Sequence, residues 1–295
     1  MRTLIAILVL ALQQVPVFRT GVDLVQLGVT VTDRKGALVA DLTAADFEIF
    51  EDGKKQTIQL FASGREDASA PPLHLGLMLD VSESMGEDMT FTKTAAVKFV
   101  NTLTDAEDIT VVDFDTEVRA ARYSQREFVR VIERIRQKKA SGETALYDAI
   151  GLYLDGASQQ DGRKIMLLYT DGGDNKSSMN RTELFDLLKA SDATVYVIGE
   201  LEHQLSSGRM TQRAVLQQIA ELTGGVAFFP SAVKELDAMY DKVVAEIRAQ
   251  YTIGYVSTNP KPDGTWRKVE VKVKPNGLKT RSRKGYFAPA RKPQH

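Results

Sequence analysis

The chain has 295 residues, of which 43% are hydrophobic, and this is enough for a packed core in one large domain or two smaller ones. Its 38 basic and 39 acidic residues nearly cancel, and no basic stripe alternates with aromatic residues, so we expect no nucleic-acid partner. The absence of cysteine excludes disulfides and cysteine metal sites, and the three scattered histidines argue against a catalytic histidine or a zinc cluster.

The first 14 residues, MRTLIAILVLALQQ, place one arginine before an apolar stretch that ends at Leu12. This order is typical of an export signal, and the stretch is too short to cross a bilayer as a helix. We therefore predict a signal peptide at residues 1–14 and an exported protein, periplasmic or secreted. The alternative is a buried N-terminal strand or helix. No later segment approaches the roughly 18 apolar residues of a membrane helix, so we predict no membrane span in the mature chain.

Residues 18–63 have the texture of strands, and FEIFEDGKKQTIQLF places an Asp-Gly turn between two short runs. After residue 250 the same texture returns in YTIGYVS, WRKVEVKVKP and LKTRSRKGYFAP. Neither group of strands can easily bury a face alone. We therefore predict one discontinuous β-sandwich-like module built from residues 18–63 and 251–289. The alternative is two independent extensions that pack on the rest of the chain.

The middle of the chain alternates strands and helices. Residues 64–72 carry breakers and charges and indicate a linker. From residue 73 to residue 250, apolar runs such as LHLGLMLD, ITVVDF and KIMLLYTDG alternate with amphipathic segments such as FTKTAAVKFVNTL. This order predicts an α/β fold, an open, doubly wound, mostly parallel sheet flanked by helices. We expect His74 to be a linker or edge residue, and the basic run RQKKA to be a solvated face.

Oxygen-bearing side chains follow the predicted strand ends. Asp80, Ser82 and Ser84 come directly after the first strand, Thr144 opens a helix, and Asp171 follows a later strand. In open α/β sheets ligands bind at this edge, so the five can converge. Taken singly, the first three suggest a helix cap, Thr144 another cap and Asp171 a turn. As a set without nitrogen or sulfur, they predict a hard divalent cation, Mg²⁺ first, with Mn²⁺ or Ca²⁺ as alternatives.

DVSES, the Gly-x-Thr of GET and LLYTDGGDN resemble the three loops of the metal-ion-dependent adhesion site in von Willebrand factor A (VWA) domains. The resemblance covers residues 73–250, and the flanks resemble exported bacterial VWFA-related domain proteins. It implies that Ser82 and Ser84 bind the ion through their hydroxyls and that Thr144 binds it directly or through water. It also implies that Asp80 and Asp171 orient the surrounding waters and hydroxyls. A Glu or Asp of a protein partner would complete the coordination.

The favoured function is therefore an exported, non-enzymatic protein that uses a divalent cation to bind an acidic residue of a protein partner. One alternative is a metal-independent scaffold or assembly component of the envelope. A metal-dependent or serine hydrolase is less favoured, because the sequence has no Gly-x-Ser-x-Gly elbow and no glycine-rich phosphate loop. The sequence does not specify the oligomeric state.

Overall fold

The computed structural model describes residues 24–64, 70–87, 89–103, 105–202, 206–231 and 233–290. The predicted signal peptide, residues 1–14, lies outside these ranges. Within them, none of the helices combines the length and the apolar character that crossing a bilayer requires.

Strands and helices follow one another along the described part of the chain. The strands are β1 (Leu24–Thr32), β2 (Phe47–Glu51), β3 (Lys54–Gln56), β4 (Ile58–Ala62), β5 (Leu73–Asp80), β6 (Asp108–Phe114), β7 (Val118–Ser124), β8 (Arg163–Thr170), β9 (Thr194–Gly199), β10 (Ala227–Phe228), β11 (Tyr251–Val256), β12 (Trp266–Val273), β13 (Lys279–Arg281) and β14 (Gly285–Phe287). The helices are α1 (Met89–Thr102), α2 (Phe128–Gln137), α3 (Leu146–Ser158), α4 (Arg181–Ala190), α5 (Ser206–Thr223) and α6 (Val233–Ala249).

The central sheet has six strands in the order β10-β9-β8-β5-β6-β7, and every neighbouring pair except β6 and β7 is parallel. Helices α1, α2 and α6 pack on one face, and α3, α4 and α5 pack on the other. Strand β5 lies at the centre with all eight residues buried, which explains its unbroken apolar sequence. The predicted fold class, an open and mostly parallel sheet between two layers of helices, is confirmed.

Strand β7 was not expected from the sequence. Its residues, VRAARYS, include two arginines and contain no apolar run. It pairs antiparallel with β6 and is an edge strand of the sheet, so one of its two edges faces no other described strand and its side chains need fewer hydrophobic contacts. The sequence signal for a buried strand is therefore absent for a physical reason.

The terminal flanks form two four-stranded antiparallel sheets, β13-β1-β11-β4 and β14-β12-β2-β3. Each sheet combines strands from both ends of the chain, because β1 pairs with β11 and β2 pairs with β12. Residues of both sheets share one hydrophobic core, which includes Leu27, Ile49, Tyr251 and Val269. The β-sandwich-like module predicted from the two flanks is therefore present. The domain boundaries proposed from the sequence stay a prediction.

Two turns of the flanks differ in how well the sequence indicates them. Asp52 and Gly53 have φ angles of 47° and 80° and join β2 to β3, as expected for an Asp-Gly hairpin. The segment DRKGALV closes only a single bridge, between Thr32 and Leu38. The last predicted strand is divided into β13 and β14, which lie in different sheets.

The expectation for His74 is wrong. It lies inside β5 with 6% of its surface exposed, opposite Asp108 in the parallel register with β6. Its Nδ1 is 2.8 Å from Asp108 Oδ2, and its Nε2 is 2.9 Å from the carbonyl oxygen of Asp161. The buried Asp108 carboxylate and the Asp161 carbonyl each contact one ring nitrogen, so this histidine belongs to the start of the central strands and not to the linker.

Candidate metal-binding site

The candidate site lies where the strand order of the central sheet reverses. After β5 the chain continues to β6 on one side, and it later returns to β8 on the other side of β5. Asp80 ends β5, and Asp171 follows directly after the end of the neighbouring strand β8. Ligands of open α/β sheets bind beside such reversals, at the carboxyl ends of the strands.

Asp80 organises the first loop. Its carboxylate is fully buried, and Oδ1 accepts hydrogen bonds from the backbone nitrogen of Ser82 at 3.0 Å and from Ser82 Oγ at 2.5 Å. Ser82 Oγ is in turn 3.2 Å from Ser84 Oγ. Ser82 is buried and Ser84 is exposed, so the two hydroxyls lead from the carboxylate to the surface. The helical turn that follows has only three residues, and no side chain caps it.

Thr170 is a further member of the site that the sequence reasoning missed. Its hydroxyl donates to Asp80 Oδ2 at 2.6 Å and accepts a hydrogen bond from the backbone nitrogen of Gly172 at 3.0 Å. The signal was present in the sequence, because Thr170 and Asp80 end adjacent parallel strands. Aligning the two strand ends would have placed the hydroxyl beside the carboxylate.

The second loop, which carries Thr144, is joined to the first by backbone hydrogen bonds. Ser141 donates to the carbonyl of Val81 at 2.8 Å, and the nitrogen of Glu83 donates to the carbonyl of Gly142 at 3.0 Å. Helix α3 begins at Leu146 with Ala145 as its N-cap, so Thr144 lies outside the capping position. The simplest alternative for this threonine, a helix cap, does not hold.

The third loop is tied to the second. Asn175 Oδ1 accepts from the nitrogen of Thr144 at 2.8 Å, and the nitrogens of Asn175 and Lys176 both donate to the Thr144 carbonyl at 3.0 Å. Asp174 Oδ1 accepts from Ser177 Oγ at 2.6 Å and from the nitrogen of Tyr147, the second residue of α3, at 3.2 Å. Asp174 and Asn175 therefore shape the loop and hold it against α3.

Asp171 brings a second carboxylate close to Asp80. It is 4% exposed, and its Oδ1 accepts from the nitrogen of Gly173 at 2.9 Å. Burial raises the pKa of Asp80 to about 7, hydrogen bonds from Ser82 and Thr170 oppose this rise, and the charge of Asp171 adds to it. Two buried carboxylates close together repel each other when both are ionised, so a cation bound beside them would stabilise the ionised pair.

The donor set fits a hard cation. Asp80 and Asp171 are buried carboxylates at the ends of β5 and β8, and the hydroxyls of Ser82, Ser84 and Thr170 extend the set of oxygens from Asp80. For this reason no cluster of three or more His, Cys, Asp or Glu side chains suited to a metal is found among the described residues. Oxygen ligands of both kinds suit Mg²⁺, Mn²⁺ or Ca²⁺. The role of the five predicted residues as metal ligands stays a prediction.

A buried charge network joins the end of β6 to β7 and to the end of α2. Asp113, near the end of β6, is fully buried and binds Arg119 Nε at 2.8 Å, Lys138 Nζ at 2.6 Å and the guanidinium of Arg134. Burial alone would raise the pKa of Asp113, but hydrogen bonds from Lys138, Arg119 and Arg134 outweigh it and lower the pKa. The basic run RQKKA is therefore not simply a solvated face, since its Lys138 anchors the end of α2 to the sheet.

Comparison with known protein families decides the assignment. The model of the von Willebrand factor type A domain matches residues 74–242, more than half of the chain. The chain belongs to this family. The resemblance inferred from the three loops is thereby confirmed for the VWA fold, and Asp80, Thr144 and Asp171 all lie inside the matched range. No curated protein matches the sequence significantly.

Several solved structures share the VWA fold at low sequence identity. A von Willebrand factor type A protein from Catenulispora acidiphila is 14% identical, with a TM-score of 0.51 over 91% of this chain and 74% of that one. The pilus adhesin SpaC from Lactobacillus rhamnosus GG, in an open conformation, is 11% identical, with a TM-score of 0.51 over 83% of this chain and 48% of that one. The D319A mutant of the PilB minor pilin from Streptococcus sanguinis is 12% identical, with a TM-score of 0.51 over 62% and 63%.

Proposed function

We propose that this VWA protein is an exported, non-enzymatic binding protein that holds a divalent cation, Mg²⁺ first, in the three loops of the candidate site. A Glu or Asp of a protein partner completes the coordination, so that adhesion or assembly depends on the metal. The observation that supports this most strongly is the path from the buried carboxylate of Asp80 through the hydroxyls of Ser82 and Ser84 to the surface.

Each residue of the site has a distinct task in this proposal. Ser82 and Ser84 offer neutral hydroxyl oxygens, and Thr144 offers a third from the loop that is bonded to the first. Asp80 and Thr170 fix the orientation of the Ser82 hydroxyl from the strand ends. Because hydroxyl ligands are neutral, they leave much of the positive charge of a bound cation uncompensated. This remaining charge favours an external carboxylate as a further ligand.

The contacts of the Ser82 hydroxyl support a non-enzymatic role. Ser82 Oγ donates to a carboxylate and touches another hydroxyl, with no imidazole base in contact. His74, the one histidine within the described ranges, lies six residues before Asp80 on β5, about 20 Å away at 3.3 Å per residue. Export is supported by the leader-like N-terminal sequence, and adhesion is supported by neighbours that are a pilus adhesin and a minor pilin.

The metal part is tested by titrating Mg²⁺ into the metal-free protein by calorimetry. We expect one site in the wild type and a loss of about tenfold or more in affinity in Ser84→Ala, whose exposed side chain can be removed without opening the core. Ser178→Ala, which removes an exposed serine of the third loop, is the matched control and binds as the wild type does. Equal affinity in Ser84→Ala, or no binding in any protein, contradicts the proposed metal site.

The partner is sought by a pull-down with the mature protein in Mg²⁺ and in EDTA. The proposal expects a protein that is retained in Mg²⁺, released by EDTA and lost with Ser84→Ala. Retention that is equal in EDTA favours the alternative, a metal-independent envelope scaffold. Turnover of ester or phosphate substrates that Ser82→Ala abolishes favours a hydrolase.

A further inference from the structure

A cavity lies between the central α/β layers and the terminal sheets. Its volume is about 650 Å³, within the roughly 300 to 1,000 Å³ that small-molecule sites occupy. Its walls come from α3, α4 and the starts of β1 and β8 on one side, and from the chain around β14 on the other. Lys164 of β8 lines it, seven residues before Asp171, so the cavity lies near the edge of the sheet opposite the candidate metal site.

The rim of this cavity is unusually apolar for a surface. Leu24, Leu187 and Phe287 line it and are exposed by 42%, 40% and 40%. Leu24 begins β1, Leu187 belongs to α4, and Phe287 ends β14, so three separate elements contribute to one apolar surface. Scattered exposed apolar residues need no explanation, but a group that lines one concave surface is typical of a binding site.

Arg283 supplies a buried positive charge in the wall. It is 9% exposed, and it donates to the Ser191 carbonyl at 3.2 Å and to the Gln26 carbonyl at 2.8 Å. A guanidinium has five N–H donors, and Nε of Arg283 has no partner. Burial lowers the pKa of Arg283, which reflects the cost of a desolvated charge.

The acidic residues of the cavity compensate this charge only in part, because Asp192 acts on Arg283 through its charge but forms no ion pair with it. Asp192 lines the cavity, but its Oδ2 binds Lys164 Nζ at 2.5 Å. Asp155 is exposed at the rim. Among the residues that the structure describes, no carboxylate forms an ion pair with Arg283. The cavity thus offers, inside an apolar surface, a guanidinium that has no ion-pair partner in the described part of the chain and one unpartnered N–H donor.

We propose that this cavity binds a small amphipathic carboxylate, with its apolar body against Leu24, Leu187 and Phe287 and its carboxylate toward Arg283. A carboxylate accepts N–H donors of a guanidinium side by side. A single negative charge is favoured over the two of a phosphate ester, because Asp155 and Asp192 would repel the second. This site is independent of the proposed metal site.

The test compares 4-phenylbutyrate with 4-phenylbutan-1-ol, which has the same apolar body without the charge, by calorimetry on the full chain. We expect one 4-phenylbutyrate per chain, bound at least tenfold more tightly than the alcohol. Leu187→Asp, on the exposed rim, weakens it at least tenfold. Met210→Asp, which changes an apolar side chain that is 78% exposed and does not line the cavity, leaves the affinity unchanged.

The contribution of Arg283 is measured with Arg283→Met, which we expect to bind the acid and the alcohol with equal affinity. If this variant does not fold, the comparison of the two probes and of Leu187→Asp still decides the question. Equal affinity of the wild type for acid and alcohol, unchanged binding in Leu187→Asp, or no binding of the acid at millimolar concentration overturns the proposal.

Discussion

Thr170→Val removes one hydroxyl from the candidate site and keeps the volume of the side chain. The hydroxyl donates to Asp80 Oδ2 at 2.6 Å and accepts from the Gly172 nitrogen at 3.0 Å, and Thr170 is fully buried. A hydrogen bond to a charged group contributes about 1.5 to 3 kcal/mol, and a neutral one about 1 kcal/mol. We therefore expect the free energy of unfolding to fall by about 3 kcal/mol when Asp80 is ionised.

The assay is urea unfolding in EDTA at pH 8, above the pKa of about 7 of Asp80, followed by far-ultraviolet circular dichroism. Thr182→Val is the control, because Thr182 is exposed at the start of α4 and its hydroxyl is not needed there. A change within about 0.5 kcal/mol of the wild type in Thr170→Val, as expected for an ordinary surface substitution, would refute the role given to this hydroxyl.

Three further predictions concern the Asp113 network, the packing around Gly76 and the proposed metal site. Asp113→Asn leaves three cations without their carboxylate and lowers the free energy of unfolding by about 3 to 5 kcal/mol at pH 7. The pKa of Asp113 is lower in the folded protein than in the unfolded chain. The stabilisation that Asp113 contributes is therefore present above its unfolded pKa and is lost as pH falls through its folded pKa. We expect the difference in the free energy of unfolding between the wild type and Asp113→Asn to become smaller at acidic pH. Gly76→Ala places a Cβ 2.3 Å from the ring of Tyr153 and lowers the free energy of unfolding by about 1 to 3 kcal/mol in the same assay. In the control, Gly156→Ala, the new Cβ meets no atom within 4 Å, so the free energy of unfolding is unchanged or slightly raised. Mg²⁺ at 100 times its Kd raises the stability of the wild type by about 2.7 kcal/mol, and a tenfold or greater loss of affinity in Ser84→Ala lowers this increase to about 1.4 kcal/mol or less at the same concentration. An equal increase in both proteins would contradict the ligand role of Ser84.

The central layers could be predicted because burial on both faces leaves a plain signal. Strand β5 is apolar throughout, and the helices that cover it have an apolar face at helical spacing. Strand β7 could not be predicted, because its arginines bind Asp113 and Asp108 and replace the hydrophobic contacts that mark a strand. Lys138 is also paired with Asp113, and the sequence of the basic run alone does not reveal this contact.

The part of the candidate site that lies in one loop can be predicted from the sequence, and the part that strand pairing brings together cannot. Asp80, Ser82 and Ser84 follow one another in sequence, so their shared location needs no knowledge of the fold. Thr170 acts on Asp80 from 90 positions away, and only the pairing of β5 with β8 brings the two together. His74 was placed wrongly because its partner Asp108 is 34 positions away, and only the register of β5 with β6 brings the two together.

The pairing of the terminal strands has a consequence for how the chain reaches its final state. Leu24 of β1 lies opposite Val256 of β11, and Glu48 of β2 lies opposite Lys272 of β12. β1 and β2 therefore pair with strands that are synthesised more than 200 residues later. During synthesis the edges of β1 and β2 that later pair with β11 and β12 are exposed, while the central sheet can already assemble from consecutive segments. Exposed strand edges are templates for wrong pairing. The residues from β11 onward therefore decide when β1 and β2 stop being an aggregation risk, and a nascent chain stalled before β11 is the form that most needs a chaperone.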